Sequence, residues 1–350
     1  MAEIKQNTRF CKPKLSDLKL FRYIFNIVIW TVLGLYLLFI LTFQIPAVQH
    51  YFGEKLAGIL AEQLGTSVTI GSVDIGIPNS IKLSHVVIHD QQGKEMLVAR
   101  HLSTRIDLLP LMKGKVSIAT AQLFGAHATL YQQDSISKPN FQFALDSLAS
   151  KDTTSTSTLD LRINSLIIRN SSVSYDRYDK PETPEIFNPQ HLNVSDISAH
   201  IILKALTDDS IHANIKRLSL REKSGLQINH LSMKFKAGPR HSLLEGFTLR
   251  LPHTNLGLGD LEASYQRRNG QIVKPSLRYR GSINSSSITL SDLSCFLPSL
   301  KTFNSTLSIS SSIEGQGEKL VIPNLLVTST TGDIDINLDG WVQNISSRNP

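Results

Sequence analysis

The sequence predicts a mostly β protein hung from one N-terminal membrane helix, and three observations lead there. The first is an uncharged run of 21 residues, Tyr23 to Phe43 ("YIFNIVIWTVLGLYLLFILTF"). At about 1.5 Å per residue it makes a helix of roughly 32 Å, enough to cross a hydrocarbon core. The second is the pattern from Thr66 onward, where stretches such as "TSVTIGSVDIGI", "HATLYQ" and "DIDINLDG" alternate apolar and polar residues and are rich in Val, Ile, Thr and Ser. The third is that no helical segments of 10–15 residues alternate with these strands, which disfavours a parallel α/β sheet. The expected architecture is therefore a transmembrane helix, a short amphipathic helix, then a long curled, antiparallel-rich sheet.

Residues 1–22 form a basic arm. Lys5, Arg9, Lys12, Lys14, Lys19 and Arg22 face only Glu3 and Asp17, so this arm holds four of the seven net positive charges of the 350-residue chain. The remaining +3 is spread over more than 300 residues, which is a solvated surface and argues against a nucleic-acid partner. Residues 23–45 read as the anchor, with Tyr23, Trp30, Tyr36 and Phe43 among its aromatic residues. A cleaved signal peptide would have a shorter apolar region and an A-x-A-like end. Because basic residues precede the span and none follows until Lys55, the N-terminus is expected in the cytoplasm and the bulk of the chain on the far side. Residues 46–65 carry apolar residues at helical spacing (Phe52, Leu56, Ile59, Leu60), with Gly65 placed for a C-terminal cap. This helix is expected to lie on the membrane surface or to plug one end of the sheet. Cys11 and Cys295 fall on opposite sides of the membrane, so no disulfide is expected.

Within residues 66–350 one spacing recurs: apolar, any, apolar, two others, apolar, any, apolar. It fits Ile81/Leu83/Val86/Ile88, Val116/Ile118/Ala121/Leu123, Leu161/Ile163/Leu166/Ile168 and Leu192/Val194/Ile197/Ala199. It fits again at Ala213/Ile215/Leu218/Leu220, Leu226/Ile228/Leu231/Met233, Ile288/Leu290/Leu293/Cys295 and Leu320/Ile322/Leu325/Val327. Composition alone would give about three such matches. Alternate side chains of a strand share a face, so the two apolar pairs of each repeat would point opposite ways in a regular strand. A β-bulge at the central pair would return both to one face; a hairpin tip, for example at Lys216–Arg217, is the other solution. Either device makes a curling sheet that is a barrel, a sandwich or an open trough. Two interruptions read as loops, "KDTTSTST" (151–158), preceded by a short helix near Phe143–Ala149, and the proline-rich "DRYDKPETPEIFNP" (176–189).

Catalytic and metal-binding patterns are not found. His85 and His89 would stand about 13 Å apart along a strand, too far for one metal. "DIDINLDG" has Leu338 where a calcium loop requires Gly, so Ile334, Ile336 and Leu338 are expected to point inward from a strand whose Asp residues face solvent. There is no G-x-S-x-G, and "GLG" (257–259) and "GQG" (315–317) lack the rest of a phosphate-binding loop. No enzyme activity, cofactor or metal is expected.

From the anchor to about Tyr131 the order of features resembles the AsmA-like superfamily, and within it the TamB translocation and assembly modules. The resemblance is carried by "LGTSVTIGSVDI", "IKLSHVVIHDQQGKEML" and "IDLLPLMKGKVSIATAQLFGAHATLY". It implies a β-taco, a sheet rolled into an aliphatic groove, in a single-pass protein of the bacterial inner membrane whose bulk lies in the periplasm. It further implies movement of phospholipid toward the outer membrane, or outer-membrane protein assembly and secretion with a TamA-like barrel partner. TamB proteins are several times longer, so residues 66–350 are expected to be an incomplete groove of about 22 strands and roughly 100 Å. The expected lining is Ile81, Leu83, Val86, Ile88, Val116, Ile118, Leu123, Leu161, Ile163, Leu166, Ile168, Leu226, Ile228, Leu231 and Met233.

Overall fold

The computed structural model describes residues 15–76, 80–106, 116–149, 159–160, 165–183, 185–206, 210–268 and 271–344. Helix α1 (Leu15–Phe43) contains the apolar run, and its membrane-length segment is exposed up to the last turn. The chain turns at Gln44 and Ile45, whose amides bond back to the Leu41 and Thr42 carbonyls. Pro46 then opens α2 (Pro46–Leu64), its missing N–H being one no helix start needs. Gly65, at φ 67°, closes α2 in the left-handed conformation that favours glycine, and its amide donates to the Ala61 carbonyl.

The strands are β1 (Val68–Gly76), β2 (Ser80–His89), β3 (Glu95–Ile106), β4 (Val116–Gln132), β5 (Leu159–Asp160), β6 (Ser165–Arg177), β7 (His191–Leu206), β8 (Ile211–Glu222) and β9 (Gln227–Ala237). They continue as β10 (His241–Arg250), β11 (Asn255–Gly257), β12 (Leu261–Ser264), β13 (Arg267–Arg268), β14 (Gln271–Ile272), β15 (Arg278–Thr289), β16 (Thr306–Gln316), β17 (Lys319–Ser329) and β18 (Asp335–Gln343). Sixteen of these form one curled sheet in near-sequential order, and β13 and β14 pair separately. All neighbours in the main path are antiparallel except β4 and β6, which are parallel. The connection between those two holds the short helix α3 (Gln142–Ala149), close to the expected position. Between β10 and β15 a single position in the sheet is filled by two short pieces, β11 and β12. There are fewer strands among the described residues than the 22 expected, because several are long: β4 has 17 residues and β7 has 16.

Among the described residues every strand except β13 and β14 is joined edge to edge in this one sheet. The compact core lies at the start of the sheet, where α2 covers one face. Ala57 packs there with Val68, Ile70, Val73, Leu83, Val86, Ala99 and Ala126. Gly53 makes the approach of α2 to the sheet possible, since a Cβ on it would stand 3.1 Å from the Ile70 carbonyl oxygen. Phe43, expected among the membrane-facing aromatics, is buried instead, its ring 4.8 Å from those of both Phe39 and Phe52. Tyr23, Trp30 and Tyr36 are exposed on α1 as expected.

The repeated change of face is resolved by backbone conformation. His85 in β2, Gly125 in β4, Asn170 in β6, Asp196 in β7 and Gly246 in β10 all have φ between 47° and 60°. Each follows an apolar residue by two positions, and the residue after it is apolar in every case except the buried Ser171. In the left-handed region one residue turns the strand enough to bring the next inward side chain back to the first face. From β2 to β6 these positions align. Val86 pairs with Ala99 and Ser84 with His101 on one side of the line, and Ala99 with Ala126 and His101 with Phe124 on the next. Register is therefore constant through the turn, and the sheet carries a continuous crease rather than isolated bulges. Farther on, register shifts take its place, for example between Ile215 and Leu218 and between Ile322 and Leu325. Lys216–Arg217 sits inside β8, so the hairpin alternative does not hold there. Leu290–Leu293 is a 3-10 helix, so the repeat at Ile288–Cys295 is not a strand pair.

The crease predicts a simple substitution series at Asn170. Asn170→Val, which forces a β-branched side chain to φ 47°, should cost roughly 1–3 kcal/mol in urea melts. Asn170→Gly should cost little or nothing, and equal effects of the two would show that the left-handed turn is not what holds the sheet.

Candidate functional site: an aliphatic ladder and its rim

Directly opposed residues on neighbouring strands share a face. One row runs Val73–Leu83–Leu102–Leu123–Ile168–Ala199–Leu218–Leu231–Leu249–Leu256, from β1 to β11. No polar residue interrupts it. A parallel row runs Ile75–Ile81–Thr104–Ala121–Leu166–Ile201–Ile215–Met233, interrupted only by Thr104. About nine steps of about 4.8 Å make the first row roughly 43 Å long.

The expected lining residues divide into groups. Leu83 and Val86 are buried, and Ile81 and Ile88 are packed on the same cluster, so these four belong to the core beneath α2 and line no open surface. Their burial was not predictable without knowing which strands α2 covers. Leu123 sits at the margin of that cluster. Leu166, Ile168, Ile228, Leu231 and Met233 are half-buried and lie outside the cluster beneath α2. Leu226 is also half-buried but lies in the β8–β9 turn, where its carbonyl accepts the Glu222 amide, so it is not a strand position. Val116 and Ile118 are in β4, with Ile118 opposite Ile106. Leu161 and Ile163 lie outside the described residues. The far end of the sheet corrects one expectation: Ile334, Ile336 and Leu338 are exposed, not inward, because nothing among the described residues covers the face of β17 and β18.

Residues missed in the sequence complete the rows. Val68, Ile70, Val73 and Ile75 of β1 have the full repeat spacing and could have been found by it. In β3 Leu97, Ala99 and Leu102, which oppose Ile88, Val86 and Leu83, are followed by Thr104, which hides the repeat from a search restricted to apolar residues.

Polar chemistry gathers at one rim, where chain reversals replace strands. Asp90 is buried and accepts from the Tyr131 hydroxyl at 2.7 Å and from the amides of Gln92 and Lys94 at 2.8 and 2.9 Å. Burial pushes its carboxyl upward, but these bonds together outweigh it and leave Asp90 below the usual carboxylate range. Burial, then the bond to Asp90, pushes the Tyr131 hydroxyl up to about 12.

Farther along the same rim the proline-rich loop between β6 and β7 reaches the segment between β15 and β16. The Phe187 amide donates to the Cys295 carbonyl at 2.7 Å, and the Phe187 and Phe296 rings lie 5.2 Å apart. Beneath this strap is a cavity of about 700 Å³ lined by Asp176, Glu182, His191, Glu222, Cys295 and Lys301 among others. Asp176, Glu182 and His191 place donor atoms within 4.8 Å of one another, a grouping hidden in sequence by the intervening loop. Both ring nitrogens of His191 are already engaged, Nδ1 with Asp176 Oδ1 at 3.1 Å and Nε2 with the Lys180 carbonyl at 2.9 Å. Two acceptors require both ring protons, so the trio acts as a clasp on the strap and offers no free imidazole lone pair to a metal.

Burial pulls the His191 pKa down, but the bonds to Asp176 and Lys180 and the nearby Asp176 and Glu182 charges raise it overall. A raised folded-state pKa stabilises the clasp fully below the unfolded value and loses that contribution as pH climbs through the folded value. Melting temperatures of wild type and His191→Gln should therefore differ most below about pH 6.5 and converge at alkaline pH. Divergence on raising pH would assign the opposite protonation state.

Compared with known proteins, the chain matches no family model, no curated protein and no solved structure.

Proposed function

We propose that this protein is a membrane-anchored lipid conduit, in which the aliphatic ladder takes the acyl chains of phospholipid while the headgroups remain in water. The observation that carries this reading is the uninterrupted row from Val73 to Leu256, whose members in β6 and in β8 to β11 are only half-buried. An acyl chain gains about 0.8 kcal/mol for each CH₂ it buries. On a continuous row a chain slides from one strand to the next without returning that energy to water, so transport needs a smooth surface and no catalytic group. One N-terminal helix long and apolar enough to span a membrane supports anchoring. The basic arm and the TamB resemblance support placement in the bacterial inner membrane, with the sheet in the periplasm and the outer membrane as destination.

A second reading has its own observation. β18 is the last strand in the sheet order, and its residues Ile336, Leu338, Trp341 and Val342 are exposed. An apolar strand at a sheet edge is a template for a further strand, which would suit a scaffold for outer-membrane assembly with a TamA-like barrel.

The full chain, purified in mild detergent, is expected to carry phospholipid detectable by mass spectrometry. Ile168→Asp and Leu231→Asp, both half-buried beyond the α2 core, should lower bound lipid roughly tenfold or more, a factor of ten being about 1.4 kcal/mol, with circular dichroism unchanged. Folded variants that keep their lipid would refute the conduit, and a co-purifying barrel protein with no lipid would favour the scaffold.

A further inference from the structure

Helix α2 has two working sides, and only one meets the sheet. Gly53, Ala57 and Leu60 turn toward β1. On another side Phe52 and Ile59 lie seven residues apart, which stacks them along the axis about 10 Å apart, and Ile45, the N-cap residue of the helix, precedes them by the same interval. All three are exposed, at 51%, 43% and 60%. Tyr51 and Lys55 flank the line, with the Lys55 ammonium 5.8 Å from the Tyr51 ring centre. The side of the helix facing away from the line is polar: His50 and Glu54 lie 3.5 Å apart, and His50 also contacts the Gly71 carbonyl oxygen.

We infer that this stripe is a bilayer-docking surface, so that α2 is held between the sheet and the membrane interface. Continuity identifies the occupant. The stripe begins at Ile45, in the turn that ends the membrane-length helix α1, and the rings of Phe39, Phe43, Phe52 and Tyr51 form an unbroken series from α1 onto α2. An amphipathic helix in such a position sinks its apolar side about 5–10 Å into the headgroup boundary. Tyr51 and Lys55 suit that depth, each offering an apolar body and a polar tip. The start of the sheet is then fixed against the lipid surface at a constant height, with the ladder beginning on the other side of the same helix. This surface does not depend on whether the ladder carries lipid.

The test uses the full chain in phosphatidylcholine nanodiscs, with Cys11 and Cys295 replaced by serine and alanine. One environment-sensitive fluorophore is attached in turn at Ile45→Cys, Ile59→Cys and Glu54→Cys. Labels at 45 and 59 should show blue-shifted emission and lose intensity when the lipids carry a nitroxide near the headgroup. The label at 54 should respond to aqueous iodide instead. Iodide quenching at all three sites would overturn the inference, as would shielding of 45 and 59 from both quenchers, which would mean that protein covers the stripe.

Discussion

The structure depends on one backbone constraint, the left-handed residues that stand at one level of β2, β4 and β6. A single residue at positive φ would disrupt the hydrogen-bonded ladder of an ordinary sheet. Here His85, Gly125 and Asn170 stand at one level, with Arg100 of β3, which is not at positive φ, between the first two, and pairing from β2 to β6 keeps its register across that level. Asn, Asp, Gly and His are the residue types that tolerate this conformation best, and all of the turning positions in β2, β4, β6, β7 and β10 are drawn from them. The turn keeps two separate apolar stretches of each strand on one face, and that face is what α2 covers at one end and leaves open at the other.

Stability is distributed unevenly as a result. Near α2 the sheet has a conventional two-layer core, with Val86 at 3% and Ala99 at 1% exposure. Beyond it the facing side chains of β6 and β9 are half-buried, and no large side chain among the described residues is fully buried. Backbone ladders and the polar structures of the rim must then hold the shape. Asp90 with Tyr131 and the loop strap from Phe187 to Cys295 are both at that rim, and both tie together segments distant in sequence. The buried Cys295 thiol, its pKa raised by burial, lies under the strap as a packing group.

Much of this was legible in the sequence, for identifiable reasons. Apolar periodicity is a local property, so α1, α2, α3 and the change to period two at Thr66 could be read directly. The repeat spacing also revealed that strands change face. What could not be read was which partner covers which residue. Ile81, Leu83, Val86 and Ile88 have the same local pattern as Leu166 and Ile168, yet only the first four are beneath α2. Burial there is decided by a helix from an earlier part of the chain. Likewise Phe43 ends an apolar run and reads as membrane-facing, whereas the turn at Gln44–Ile45 folds Phe52 onto it. The trio at Asp176, Glu182 and His191 depends on the path of a loop, for which the sequence offers only its prolines.

The alignment of the crease also limits how such a chain can change in length. Adding one residue to β4 would put Gly125 out of step with Asn170 on one side and with Arg100 on the other, and every strand laid down afterwards would inherit the error. Adding a complete pair of strands in register, as β3 and β4 do with one turning residue between them, would disturb nothing already in place. Growth by whole hairpins is therefore open to this architecture, while insertions of a single residue within a strand are not, and length differences of one or two residues belong in the reversals at the rims.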